Sequence, residues 1–128
     1  MRSKSFLATI AFLTAMLSMP IASAGDDAVS TMASIMIGLE HFPSDADKQA
    51  LSAIAESSDA SQAEKTVAAA IANIAHKASA ADQEKLKAII ADGDTPAGLR
   101  DVASVVAGLN HVPSDADKAK LEKLVAAL

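Results

Sequence analysis

Three histidines, His41, His76 and His111, are all the histidines in the chain, and they recur at one phase of a 35-residue period (76 − 41 and 111 − 76). Their neighbourhoods recur with them. Gly38-Leu39-Glu40-His41-Phe42-Pro43-Ser44-Asp45-Ala46-Asp47-Lys48 is followed by Leu51. Gly108-Leu109-Asn110-His111-Val112-Pro113-Ser114-Asp115-Ala116-Asp117-Lys118 is followed by Leu121. A more diverged copy, Asn73-Ile74-Ala75-His76-Lys77-Ala78-Ser79-Ala80-Ala81-Asp82-Gln83, lies midway and is followed by Leu86. A fixed period of this size marks stacked helical units, and about three copies are needed before stacking buries a continuous core.

The repeat does not begin at residue 1. Residues 1–24 start with the basic pair Arg2 and Lys4, continue through an apolar stretch from Phe6 to Met19, break at Pro20 and end in Ala22-Ser23-Ala24. That is the pattern of a cleavable signal peptide, and its apolar stretch is shorter than the roughly 20 residues a spanning helix needs. Cleavage after Ala24 leaves residues 25–128 as one domain, expected to be periplasmic or secreted. No later apolar run is long enough to span a membrane. Two of the 11 basic residues leave with the signal and none of the 16 acidic ones does, so the mature charge is 9 − 16 = −7. Such a balance gives no footprint for nucleic acid. The absence of Cys excludes disulfides, thiolate metal sites and a cysteine nucleophile.

The pattern predicts an all-α fold of three helical hairpins, six helices in all, arranged as a compact bundle or a short solenoid. Ser44-x-x-Asp47, Ser79-x-x-Asp82 and Ser114-x-x-Asp117 resemble capping boxes and start the second helix of each unit, over residues 45–56, 80–91 and 115–127. First helices are expected to start near Asp26/Asp27, at Ser61-x-x-Glu64, and at Thr95-Pro96 with Thr95 as cap and Pro96 as first helical residue. Their apolar stripes are Val29/Met32/Ile35/Met36, Val67/Ala70/Ile71/Ile74 and Val102/Val105/Val106/Leu109. Gly38, Asn73 and Gly108 share one phase and are expected to end these helices in the left-handed conformation, leaving each histidine in a turn. The competing reading continues the helix to the histidine. Short polar links, Ser57–Ala60 and Asp92–Asp94, join one hairpin to the next.

Ala is the best helix former and lets helix axes approach closely, and here it fills 25 of residues 25–128 while Phe42 is the one aromatic among them. The core must therefore be built from Leu, Ile, Val and Met. The best-known hairpin repeat of similar period carries Trp and Tyr positions that are missing here.

His41, His76 and His111 are the candidate metal ligands, since imidazole is the commonest ligand for transition metals. The structural reading of the same residues is that each bonds a carbonyl of its own turn, because a repeated turn repeats its residues. Met32 and Met36 fall on the apolar stripe and are expected in the core. The acids at Asp45/Asp47, Asp115/Asp117 and Asp92-Gly93-Asp94 lack the spaced ligands and closing Glu of a calcium loop and are expected to cap helices. No nucleophile elbow, phosphate loop or zinc-protease motif is present, and no cofactor is implied. The sequence thus points to an exported, non-catalytic helical-repeat module that binds a protein partner or itself. The alternative is a periplasmic metal-binding or metal-buffering protein using the three histidines.

Overall fold

The computed structural model describes residues 24–128; apart from Ala24, the expected signal peptide lies outside the described residues. Six helices follow one another: α1 Ala24–Ile37, α2 Asp45–Glu56, α3 Gln62–Ala72, α4 Ala80–Ala91, α5 Ala97–Ala107 and α6 Asp115–Ala127. Among the described residues there is no strand, only three isolated bridges at the histidine turns. No helix among them is long and apolar enough to cross a membrane.

Start signals set the even-numbered helices. At α2, the Asp47 N–H donates to Ser44 Oγ (3.1 Å) and the Ser44 N–H donates to Asp47 Oδ2 (3.3 Å), so the short Asp closes a full capping box. At α4 and α6 only the serine half forms, from the Asp82 and Asp117 N–H groups. The longer Glu64 closes its box on Ser61 more tightly, accepting from the Ser61 N–H at 2.6 Å. This difference follows side-chain reach. Thr95 does not cap α5. Its side chain is buried, its hydroxyl lies 3.4 Å from Asp92 Oδ2, and α5 starts after Pro96 without a side-chain cap bond.

The odd-numbered helices pack against one another around a pseudo-three-fold axis. Repeat-related residues layer along it: Ala33, Ala68 and Ala103 are each fully buried, and so are Met36, Ile71 and Val106. The alanine layer lets three backbones converge, and the larger layer fills the space beside it. The even-numbered helices form the outer shell and contribute Leu51, Leu86 and Leu121, all fully buried at one repeat phase.

The closest antiparallel pairs are not the expected hairpins. Each outer helix packs most extensively on the first helix of the following unit: α2 on α3, α4 on α5, and α6 on α1. The tight connections are therefore the polar links, and the histidine turns are wider crossings between neighbouring pairs. Because α6 returns to α1, the three units close into a ring rather than extending as a solenoid. At the end formed by the starts of α1, α3 and α5, the axis opens into a shallow hollow of about 360 Å³. It is lined by Asp26, Ser61 and Pro96, and by Val29, Glu64 and Leu99, two sets at repeat-related positions.

Candidate functional site

At the opposite end of the axis the three histidine turns meet. Each odd-numbered helix stops three residues before the turn begins to fold back, so Leu39, Ile74 and Leu109 are buried while the residues after them reach solvent. Gly38, Asn73 and Gly108 do end the helices, but not in the left-handed region. Asn73 and Gly108 have φ of −91° and −94°, and no described glycine has positive φ. The left-handed residues are the histidines themselves, with φ of 73° at His41, 73° at His76 and 72° at His111.

Local geometry explains the value. The Phe42 N–H donates to the Glu40 carbonyl at 2.8 Å, and the Val112 N–H donates to the Asn110 carbonyl at 2.9 Å. A bond spanning two residues around a central residue of φ near +75° is the rare, strained form of the γ-turn. In the middle unit the bond runs the other way, from the Ala75 N–H to the Lys77 carbonyl at 3.3 Å. Directly after each turn the chain dives inward, burying Pro43, Ala78 and Pro113. These anchors and the helix ends hold each turn from both sides.

The turns then bind one another. The His76 N–H donates to the His41 carbonyl (2.7 Å), the His111 N–H to the His76 carbonyl (2.6 Å), and the His41 N–H to the His111 carbonyl (3.2 Å). This is a closed cycle of three backbone hydrogen bonds between residues 35 and 70 positions apart in sequence (76 − 41 and 111 − 41). It satisfies the amide and carbonyl of every histidine and explains why the turns tolerate a positive φ. Backbone donors reach the Glu40, Lys77 and Asn110 carbonyls and all three histidine carbonyls, so the turns are closed by backbone bonds.

The imidazoles instead face one another. Their ring centres lie 5.2, 5.8 and 5.1 Å apart for the pairs His41–His76, His41–His111 and His76–His111. The ring planes cross at 61°, 72° and 54° in the same order. All three side chains are exposed. Around them stand the next residues of each turn, Phe42, Lys77 and Val112, of which Phe42 is 60% and Val112 43% exposed. Two of the three exposed large apolar side chains among the described residues therefore sit on this one small face. Among the described residues no group of three or more His, Cys, Asp or Glu stands ready as a metal-ligand set. The ring centres converge without forming such a set.

The other sequence candidates fall elsewhere. Met32 and Met36 are fully buried in the axial core, remote from solvent. Asp47, Asp82 and Asp117 sit at helix starts, and Asp92 Oδ1 accepts from the Asp94 N–H at 2.9 Å inside a link. Glu64, the buried acid nearest the axial hollow, is engaged by Ser61. The rim of Phe42, Lys77 and Val112 carries no sequence motif. The only hint was that the single aromatic among residues 25–128 directly follows a repeated histidine.

Comparison with protein-family models, with curated proteins and with solved structures gives no match.

Proposed function

We propose that the mature chain is an exported, non-catalytic binding module that meets its ligand with the histidine apex. One observation carries this reading: three exposed imidazoles and two exposed apolar side chains are gathered on a platform of cross-linked turns. Loops held rigidly by a scaffold are where proteins place recognition residues. A strained backbone persists only where its surroundings over-determine it, and such strain clusters at working sites. Here glycine would adopt the same φ without strain, yet all three positions carry an imidazole.

A photo-crosslinking phenylalanine analogue at position 42 tests the reading in the exporting cell's own compartment. The same analogue at Ser52, exposed on α2, serves as control. Discrete adducts from position 42 and none from position 52 are expected. Equal labelling from both, or none from position 42, refutes the apex as the binding face.

A second reading, a periplasmic metal-binding or metal-buffering protein, uses the same face. The approach of all three rings to one axis favours it, because a linear stack of units would hold the first and third histidines far apart.

A further inference from the structure

We propose that His41, His76 and His111 bind one divalent transition-metal ion as a three-imidazole tripod, with a further coordination position open outward to an exogenous ligand. The inference rests on the apex being the binding face and names what that face takes.

The spacing carries the argument. Zinc–nitrogen bonds of about 2.0–2.1 Å in a tetrahedral array place three imidazole centres about 5 Å apart. The observed separations are 5.1, 5.2 and 5.8 Å. The ring planes cross at 54°, 61° and 72°, so the three rings are arranged with approximate three-fold symmetry. The cyclic backbone bonds fix the three attachment points, so the platform is organised before any ion arrives. As they stand the three rings form no ready metal-ligand set among the described residues, so binding calls for the rings to reorient, and exposed side chains turn on the picosecond-to-nanosecond scale.

The donor set selects the ion class. Three neutral nitrogens suit zinc, copper, nickel and cobalt, and do not suit calcium or magnesium, which take oxygen ligands. All three histidines are exposed, so the side of the ion away from the turns faces solvent. That leaves a site of the open kind, able to accept water, a small anion or a side chain from a partner. Phe42 and Val112 then flank whatever occupies the open position.

Cobalt(II) is a suitable probe, because tetrahedral Co²⁺ absorbs strongly in the visible and six-coordinate Co²⁺ weakly. Titration of the purified protein should give intense visible bands that saturate at one equivalent, and thiocyanate should shift them by entering the open position. Replacing all three histidines with glycine keeps the turn's φ accessible and removes every donor. It should abolish the bands while the far-ultraviolet circular dichroism stays helical. Single H76G should weaken binding by more than the roughly 10–100-fold that loss of an outer-sphere partner costs. Absent bands, a stoichiometry other than one, or equal binding by the triple variant overturns the tripod. Bands indifferent to thiocyanate overturn the open position. The crosslinking experiment at Phe42, run without added metal, decides the apex reading separately. Adducts there without cobalt binding remove the metal and leave the binding face.

Discussion

Replacing His76 by glycine and, separately, by alanine isolates the backbone strain at the apex. Both substitutions remove the imidazole and its contacts with His41 and His111, whose ring centres lie 5.2 and 5.1 Å away. Those losses are common to both variants and cancel in their difference. What remains is the cost of holding a Cβ at φ 73°. A non-glycine residue pays about 1–2 kcal/mol in the left-handed region. Glycine loses about 0.5–1 kcal/mol more chain entropy on folding than alanine does. H76G is therefore expected to be more stable than H76A by about 0.7 kcal/mol. This reverses the usual order of the two residues. For a domain of this size the gap corresponds to roughly 3–5 °C in melting temperature. With no Trp or Tyr in the chain, circular dichroism at 222 nm under urea or heat is the natural probe. If H76A proves equal to or more stable than H76G, His76 does not hold a positive φ in solution, and the cross-linked turn is wrong.

Four other outcomes follow from the packing and the helix caps. Leu121→Ala empties a fully buried position on the helix that closes the ring and should cost about 2–5 kcal/mol, read as a lower urea midpoint. Ser61→Ala removes the hydroxyl that accepts from the Glu64 N–H, while the residue-61 N–H can still donate to Glu64, and should cost about 1 kcal/mol. Ser79→Ala removes the equivalent bond from the Asp82 N–H and should cost about as much as Ser61→Ala in the same assay. Finally, a circular permutant that joins Leu128 to Ala24 through five added residues and opens the 57–61 link should keep its helical spectrum, since α6 and α1 already pair as the linked helices do. Loss of cooperative unfolding in that permutant would refute ring closure.

Much of this architecture was legible in local chemistry. The second helix of every unit begins at the serine cap and runs over the expected residues, because the cap, the acidic first turn and the apolar spacing all act within a few residues. The apolar stripes of the odd-numbered helices are buried as their period requires. The misses share one cause. Gly38 and Gly108 looked like left-handed caps because glycine permits that conformation, but permission is not requirement. The positive φ was fixed instead at the histidines by hydrogen bonds between turns 35 residues apart. Pairing of α2 with α3 rather than with α1 is likewise a tertiary choice, since both partners present apolar faces. Thr95 shows the same limit on a small scale, its hydroxyl turned toward Asp92 rather than the helix end. Convergence of the histidines depended on whether the stack closes, and periodicity alone is the same for an open row and a ring.

The direction of the helices has a consequence for how the molecule presents itself. α1 runs toward the apex and α6 runs away from it, so Ala24 and Leu128 both lie at the end that holds the axial hollow. The molecule has a handle and a head. Anything joined at Ala24 or Leu128, whether a tag, a bead, a sensor surface or a lipid layer, is joined at the handle, and the imidazoles face away from it. Immobilised at either of these residues, the domain displays every copy of its apex outward in a single orientation, with the three histidine turns as the first part an approaching ligand meets.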